Sequence, residues 1–328
     1  MKIILNKLFA HEHLNAAEAK DILIRIAKNE FNTSQIASFL TVFLMRSLSV
    51  DELMGFRDAL MELAIKIDLS DFNTIDLCGT GGDGKDTFNI STLTSFIVAG
   101  AGYKVAKHGN YGVSSTCGSS NMLEYLGYKF TNKESVLQHQ LDNANICFLH
   151  APLFHPAMKT VGPIRRELGL KTFFNVLGPL VNPSQPKNQM VGVFNMEIAR
   201  LYGYLMQQSS QNYKIVHSFD GYDEISLTSK FSIISNKGTQ LFTPEEINFK
   251  RLSQCDIVGG DSVASSAKIF KDIIRGNGTD AQNNVVLANT AFAIQTIDPV
   301  LDLEQAYEKA KDSLLGLKGA ACLTHLLA

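Results

Sequence analysis

The sequence lacks the features that mark several broad classes of protein. Its 30 Lys and Arg residues are balanced by 32 Asp and Glu residues, for a formal net charge of −2, so no basic excess is available to neutralise a nucleic-acid backbone. No run approaches the roughly 20 apolar residues of a membrane-spanning helix, and the apolar stretch after Met1 is too short for a signal peptide. We therefore expect a cytoplasmic protein that binds neither nucleic acid nor membranes.

Cysteine is also scarce, and its five positions are scattered. An odd number of cysteines without a C-x-x-C pair argues against a disulfide framework or a zinc knuckle and fits a reducing cytosol. What is present is a chain of 328 residues, 45% of them hydrophobic. That is enough for a substantial core in one large domain or in two unequal ones.

Residues 1–70 predict a small α-helical domain. Asn15 with Glu18, and Ser49 with Glu52, have the spacing of helix capping boxes, and apolar residues at helical spacing follow each pair. No chemically reactive side chains cluster in this part. We interpret its apolar stripes as packing surfaces.

From residue 73 to residue 328, short apolar runs alternate with helical stretches. This alternation predicts a larger α/β domain with a central, mainly parallel sheet flanked by helices. Helices from residues 156–185, a segment rich in Pro and Gly, are expected to complete the small domain. The predicted strands are 75–77, 104–106, 146–149, 190–194 and 215–219. Ligands of such sheets bind at the carboxyl ends of the strands, so the loops that follow them are where function should lie.

A glycine-rich loop follows the first predicted strand. Its glycines are Gly79, Gly81, Gly82 and Gly84. Without Cβ atoms the backbone can take positive φ angles and approach a ligand, and consecutive N–H groups form an anion-binding concavity. Asn89 is expected to cap the next helix, with Ser91 and Thr92 in a first turn that favours a phosphate. The pattern is neither a Walker motif nor a dinucleotide fingerprint, and a plain strand–turn–helix connection is the alternative.

A second polar loop, residues 107–115, follows the next predicted strand and precedes a helix that starts near Cys117. It places a cation and several hydroxyls beside a helix N-terminus. Two such loops at neighbouring strand ends suggest a ligand with phosphate groups at both ends. Taken alone, Lys107 could be a solvated surface lysine, and His108 and Asn110 could be turn residues.

Two adjacent carboxylates, Asp223 and Glu224, follow the predicted strand 215–219. Mg²⁺ takes oxygen ligands from one or two carboxylates, substrate phosphates and water. Acidic loop residues are usually solvated surface, but a position at a strand's carboxyl end, next to a polyanion site, favours a metal-binding role.

Four motifs together, Gly79–Asp83, Asn89–Thr92, Lys107–Asn110 and Asp223–Glu224, resemble the anthranilate phosphoribosyltransferase family, and the resemblance runs over nearly the whole chain. It implies transfer of the phosphoribosyl group of 5-phosphoribosyl 1-pyrophosphate (PRPP) to the amino group of anthranilate. The products are N-(5-phosphoribosyl)anthranilate and pyrophosphate, in tryptophan biosynthesis. The resemblance also implies two Mg²⁺ ions per monomer and a homodimer.

The same resemblance implies which residues form the site. Those matching PRPP-binding positions are Gly79, Gly82, Asp83, Thr87, Asn89, Ile90, Ser91, Thr92, Lys107, His108, Gly109, Asn110, Ser114, Ser115 and Ser119. The anthranilate positions are Gly79, Asn110 and Arg165, and the Mg²⁺ ligands are Ser91, Asp223 and Glu224. Lys107, Asn110 and Arg165 are expected to act by electrostatics and positioning.

Arg165 offers a planar guanidinium that suits the anthranilate carboxylate. Its alternative is an ordinary salt bridge with Glu167 or Glu224, and spacing alone does not choose between Arg165 and Arg166. Either His108 or His155 could accept the amine proton late in the reaction. For each histidine a structural or binding role is favoured, because a lone histidine is weak evidence for catalysis.

Two positions depart from the family pattern, and two other functions compete with it. Tyr111 stands where the family commonly has arginine, which puts a cation at that position in doubt, and Ser218 stands where it commonly has glycine. A pyrimidine nucleoside phosphorylase shares the first loop but needs no carboxylate pair for pyrophosphate. A non-catalytic relative that binds nucleic acid should carry a basic surface, which this chain lacks.

Overall fold

The computed structural model describes residues 1–112 and 115–328. The helices are α1 (Lys2–Phe9), α2 (Ala16–Ala27), α3 (Thr33–Met45), α4 (Val50–Leu63), α5 (Ile90–Gly100), α6 (Ser119–Tyr125), α7 (Glu134–Ala144), α8 (Ala151–Phe154), α9 (Met158–Leu168), α10 (Phe174–Leu177), α11 (Met196–Met206), α12 (Val263–Ile274), α13 (Asp280–Ile297), α14 (Leu303–Leu315) and α15 (Lys318–Leu327). The strands are β1 (Thr74–Gly79), β2 (Lys104–Gly109), β3 (Ile146–His150), β4 (Asn188–Gly192), β5 (Asn212–Ser218), β6 (Phe231–Ser235) and β7 (Gly238–Phe242). Short 3₁₀ helices span Gly178–Val181, Glu245–Ile247 and Gln254–Ile257.

The chain divides into two compact units. Residues 1–66 and 151–183 form the first unit, and residues 67–150 and 184–328 form the second. Of the described helices, none is both long and apolar enough to cross a membrane.

The first unit is all helical and has an aromatic core. Both predicted capping boxes are confirmed, since the Asn15 and Ser49 side chains accept from the backbone N–H groups of Glu18 and Glu52. In the core, the Phe56 ring stacks on Phe173 at 4.4 Å between centroids. Phe173 comes from the later of the two chain segments. Large buried rings of this kind dominate the stability of a small core, so the unit needs both of its segments.

The second unit is built on a seven-stranded sheet of order β3-β2-β1-β4-β5-β6-β7. The first five strands are parallel, and β6 and β7 are antiparallel additions. The predicted α/β class with a mainly parallel sheet is confirmed. The chain runs outward from β1 through β2 to β3 and then returns to β4 on the other side of β1. The switch point therefore lies at the carboxyl ends of β1 and β4, where open α/β sheets bind ligands.

Candidate active site

The loop after β1 has the backbone that its glycines allow. Gly81, Gly82 and Gly84 take φ angles of +62°, +77° and +73°, a region that residues with a Cβ atom rarely adopt. The N–H of Thr80 donates to the carbonyl oxygen of Gly192 at 2.9 Å. The loop thus follows β1 in the chain and is also hydrogen-bonded to the end of β4. The loop therefore opens at the switch point of the sheet.

Asp223 lies directly against this loop. Its Oδ2 accepts a hydrogen bond of 2.7 Å from the backbone N–H of Gly81. A Cβ atom on Gly79 would overlap the Asp223 carboxylate, and one on Gly192 would overlap its backbone carbonyl. Glycine at both positions is what lets the acidic loop approach the sheet. Gly192 was not among the residues predicted from the sequence, where its only signal was a glycine in the middle of the predicted strand 190–194.

A second acidic residue of the glycine loop, Asp83, shares a side-chain hydrogen bond with Asp223. Burial, and then the charge of Asp83, raises the pKa of Asp223 to about 7. Burial and the charge of Asp223 raise the pKa of Glu224 well above its ordinary value. Each carboxylate makes ionisation of the others more costly, so this acidic cluster of Asp83, Asp223 and Glu224 is stabilised by a proton or a cation.

Asn289 of the buried helix α13 holds the loop of Asp223 and Glu224 in place by hydrogen bonds to the next residue. Its side chain accepts from the N–H of Ile225 at 3.1 Å and donates to the carbonyl of Ile225 at 2.9 Å. A cavity with room for about one water molecule lies between Asn289, Ser91 and the two carboxylates of Asp223 and Glu224.

Lys107 lies beneath the glycine loop and is 2% exposed. Its ammonium donates to the carbonyl of Leu77 and to the Ser91 hydroxyl at 3.5 Å, and the backbone N–H of Ser91 donates to Glu224. Burial lowers the pKa of Lys107, while Cys78, Asp76 and Glu224 act in the opposite direction. The structure thus places this predicted PRPP residue under Ser91.

Asp76 is a polar residue of the site region that sequence reasoning missed. It is fully buried in β1, and its Oδ1 accepts from the backbone N–H of His108 at 3.0 Å. The second loop is therefore tied to the first strand just before it turns. The signal in the sequence was a carboxylate inside an otherwise apolar strand.

Asn89 is the N-cap residue of α5, as predicted, but among the described residues its side chain makes no capping hydrogen bond. Its amide donates to the carbonyl of Cys117 at 2.8 Å. Asn89 therefore joins the first loop to the second. The helix that follows the second loop, α6, begins at Ser119, two residues after the predicted Cys117.

Residues at the start of α6 hold the second loop in place through hydrogen bonds. The carbonyl of Asn110 accepts from the N–H of Ser120 at 3.1 Å and from the Ser119 hydroxyl at 3.3 Å. Asn121 Oδ1 accepts from the N–H of Gly112 at 2.9 Å and of Gly118 at 3.1 Å. The Asn110 side chain is exposed. The predicted Ser114 lies outside the described residues.

The remaining predicted residues of the second unit fall into the same two loops or beside them. Thr87 forms an isolated antiparallel bridge with Val258. Thr92 lies buried in the first turn of α5. The residues that the structure brings to the carboxyl ends of β1, β2 and β5 are Gly79, Gly82, Asp83, Asn89, Ile90, Ser91, Lys107, His108, Gly109, Asn110, Ser115, Ser119, Asp223 and Glu224.

Arg165 belongs to α9 of the first unit. Its Nη2 donates to Asn175 Oδ1 at 3.1 Å, and its guanidinium lies 5.3 Å from the centre of the Phe174 ring. Burial lowers the pKa of Arg165. Among the described residues it has no carboxylate partner, and its Nε has no hydrogen-bond partner. Arg166 is exposed, so the two arginines differ clearly in environment.

His155 also lies in the first unit and is 4% exposed. Its Nε2 is 2.9 Å from the carbonyl oxygen of Val181. Burial lowers the pKa of His155 to about 4, so the ring is neutral at pH 7. This environment is typical of a histidine that holds backbone in place.

Two family models together match most of the chain. The helical bundle domain of a glycosyl transferase family matches residues 2–64, and the α/β domain of a glycosyl transferase family matches residues 71–321. An anthranilate phosphoribosyltransferase of Flavobacterium johnsoniae is 60% identical over 99% of this chain and 98% of its own. This chain belongs to the anthranilate phosphoribosyltransferase family.

Solved anthranilate phosphoribosyltransferases share its fold. The enzyme from Thermus thermophilus has a TM-score of 0.91 and 28% identity, with 98% of each chain covered. The enzyme from Saccharomyces cerevisiae in complex with PRPP and Mg has a TM-score of 0.91 and 26% identity, covering 98% of this chain and 95% of that one. Membership of the anthranilate phosphoribosyltransferase family decides against the nucleoside phosphorylase and nucleic-acid-binding alternatives.

Proposed function

We propose that this chain transfers the phosphoribosyl group of PRPP to the amino group of anthranilate and releases pyrophosphate, in tryptophan biosynthesis. The observation that carries the proposal is the hydrogen bond between Asp223 and Gly81. It joins an acidic loop, of the kind that binds metal ions, to a glycine-rich loop, of the kind that binds anions. Both lie at the switch point of the sheet.

The chemical difficulty of the reaction is charge. The amine nitrogen attacks C1 of the ribose, the bond from C1 to the pyrophosphate oxygen breaks, and the amine gives up a proton. A polyanion leaves while the sugar becomes oxocarbenium-like. The N–H groups of the glycine loop and the first turn of α5 supply fixed dipoles that stabilise the polyanion without reorganisation.

Ser91, Asp223 and Glu224 are the proposed ligands of Mg²⁺, with two ions per monomer. The acidic cluster fits a cation because its carboxylates raise one another's pKa. Among the described residues no group of three or more His, Cys, Asp or Glu is placed to hold a metal ion, so oxygens of PRPP and water would have to supply the remaining ligands. When bound, Mg²⁺ neutralises charge on the leaving pyrophosphate.

The PRPP ligands are proposed to be the residues of the two loops, one at each end of the molecule. The glycine loop approaches by its backbone, the second loop contributes Asn110 and Ser115, and the start of α6 contributes Ser119. Lys107 contributes from beneath, by holding Ser91 and adding a positive charge under a site that gathers anions.

Anthranilate recognition is assigned to Arg165, with Asn110 and Gly79. The guanidinium of Arg165 has an amide as its partner and an unused Nε, which leaves its charge available for a carboxylate. The aromatic amine is neutral at pH 7 and needs no strong base before it attacks, so positioning matters more than deprotonation.

We also propose that the chain is a cytoplasmic homodimer. Ile3 in α1 and Met45 at the end of α3 are 84% and 88% exposed, and these two helices pack against each other, so their exposed apolar side chains are candidates for the interface. Light scattering on the purified protein would give the mass of a dimer if the assembly exists, and that of a monomer if it does not.

The test of the proposed activity follows the fluorescence of anthranilate in the presence of PRPP and Mg²⁺. We expect fluorescence to change only when protein, both substrates and Mg²⁺ are all present, and EDTA to stop the change. Unchanged anthranilate under these conditions would contradict the proposal. Release of a base from a pyrimidine nucleoside by inorganic phosphate, measured in parallel, would instead reveal a phosphorylase.

A further inference from the structure

His150, the last residue of β3, lies between two aromatic rings. It is 5% exposed. One face of its imidazole stacks on Phe130, with 4.2 Å between ring centres and 15° between planes. The ring of Tyr111 meets it edge-on at 5.0 Å and 82°. Phe130, which is partly buried, His150, which is buried, and Tyr111 of the second loop therefore form a continuous stack of rings, and we call it the aromatic support.

The aromatic support is linked to the loop by hydrogen bonds as well as by rings. His150 Nδ1 lies 2.9 Å from the hydroxyl of Ser120, which is fully buried, and the N–H of Ser120 donates to the carbonyl of Asn110 at 3.1 Å. His150 is thus connected to Asn110 through Ser120 and touches the next residue, Tyr111, directly. His150 therefore restrains both residues of the Asn110–Tyr111 peptide, one through Ser120 and the other through ring contact.

Tyr111 has further contacts that hold its own position. Its backbone N–H donates to the side-chain oxygen of Asn110 at 2.8 Å, and its hydroxyl lies 3.4 Å from Glu124 of α6. The ring is 38% exposed. Burial lowers the pKa of His150, with Glu124 acting in the opposite direction, so the imidazole packs as a neutral ring at pH 7.

We propose that Tyr111 and His150 are positioning residues for PRPP, which hold Asn110 and the backbone beside it in the conformation that binds a phosphate. The inference rests on the proposed function of the same site. This chain uses a neutral ring that fixes the loop from the side, so affinity comes from a pre-organised backbone.

The first test replaces the partly exposed member of the pair. Tyr111→Ala should raise the KM for PRPP about threefold to tenfold, the factor that one aromatic pair is worth. The KM for anthranilate should change less than about twofold, and the melting temperature should be unaffected. Tyr111→Phe, which keeps the ring and loses the hydroxyl, should restore most of the PRPP affinity. Tyr125→Ala, at an exposed tyrosine of α6, is the matched control and should behave as wild type.

A second test addresses the histidine. His150→Phe keeps an aromatic ring on Phe130 but removes the hydrogen bond to Ser120, so it should also raise the KM for PRPP selectively. Because Tyr111 acts through His150, the effects of Tyr111→Ala and His150→Phe should not multiply in the double variant. If the His150 variant does not fold, the Tyr111 series still decides the question.

Two results would overturn the inference. One is an unchanged KM for PRPP in Tyr111→Ala; the other is an equal rise in the KM values of both substrates. Calorimetric titration of each variant with PRPP and Mg²⁺ separates this inference from the proposed activity. A wild-type protein that binds PRPP but does not consume anthranilate would remove the proposed activity, while the binding difference between Tyr111→Ala and wild type would still test the aromatic support.

Discussion

The Asp223 carboxylate accepts a hydrogen bond of 2.7 Å from the backbone N–H of Gly81. A side chain after β5 thereby fixes the course of the loop after β1, on the other side of β4 in the sheet. The two loops form one structural piece, so damage to either should be felt by the other.

Removing the charge of Asp223 should disable catalysis without unfolding the protein. Asp223→Asn keeps the shape and an oxygen for Gly81, but it removes a proposed Mg²⁺ ligand. We expect kcat/KM to fall by about 10²-fold or more, and half-maximal activity to require a higher Mg²⁺ concentration. Asp142→Asn, at an exposed position in α7, is the control. Wild-type activity and Mg²⁺ dependence in Asp223→Asn would remove the metal assignment.

Adding a single methyl group at Gly79 should also lower activity, because it would displace Asp223 and not because it removes a charge. A Cβ atom there would overlap the Asp223 carboxylate, so Gly79→Ala should displace Asp223 and lower kcat/KM by more than about tenfold. Gly203→Ala is the matched control, because its Cβ atom would meet only Ile234 at an ordinary distance of 3.5 Å. Steady-state kinetics of the two variants decide the point, and equal behaviour would mean that the close approach is unimportant.

Lys85 should stabilise the contact between the glycine loop and the Asp223 loop through the ring of Tyr222. Its ammonium lies 4.7 Å from the centre of the Tyr222 ring, and a cation–π contact of this kind contributes roughly 0.5–2 kcal/mol. Lys85→Met should therefore raise the KM for PRPP about threefold to tenfold, and Lys85→Arg should raise it less. Lys230→Met breaks a cation–π contact of the same length, 4.7 Å, to Phe219, and serves as control. If both methionine variants raise the KM equally, the effect is not specific to the glycine loop.

Arg165 and Arg166 should differ in their effect on the two substrates. Arg165→Ala removes the partly buried guanidinium proposed to hold the anthranilate carboxylate, so the KM for anthranilate should rise at least tenfold, roughly the value of a charge-assisted hydrogen bond. The KM for PRPP should change little. Arg166→Ala, at an exposed position, should leave both constants near wild type. An effect of Arg165→Ala on both substrates alike would argue against the assignment.

His155 should make the first unit sensitive to acid. Its pKa in the folded protein is about 4, below the ordinary value of 6.5, so between these values the folded protein binds fewer protons than the unfolded chain. The contribution to stability is complete above pH 6.5 and is lost as the pH falls towards 4. It amounts to ~3 kcal/mol.

Denaturant titrations at pH 7 and pH 4.5 measure this contribution. His155→Gln cannot titrate and can still donate a hydrogen bond to Val181, so its free energy of unfolding should fall less between the two pH values than that of wild type. His139→Gln, at an exposed histidine of α7, should fall as wild type does. An identical fall in His155→Gln and wild type would show that His155 does not titrate in this range.

The parts of the fold and site that depend on local sequence could be predicted. The strand–helix alternation after residue 73, the capping boxes at Asn15 and Ser49, and the glycine loop each depend on residues that lie within a few positions of one another. Their physical causes, hydrophobic periodicity and backbone freedom, can be read from such short stretches.

The parts that depend on distant residues could not. Nothing near Asp223 in the sequence indicates that it bonds to Gly81, because the register of five strands decides which loops meet. Asn89 is the N-cap residue of α5, but its side chain makes no capping hydrogen bond among the described residues, and its amide donates to the carbonyl of Cys117, a residue that follows β2. The burial of Lys107 beneath Ser91 likewise follows from the packing of the sheet.

The stacking of Phe56 on Phe173 has a consequence for the newly made chain. During synthesis the first 66 residues leave the ribosome long before Phe173 does, since the segment 67–150 of the other unit is made between them. At ordinary rates of translation this interval is on the order of ten seconds. Throughout it the rings of Phe39, Phe43 and Phe56 lack their fourth neighbour, so chaperone protection of nascent chains should matter most in that window.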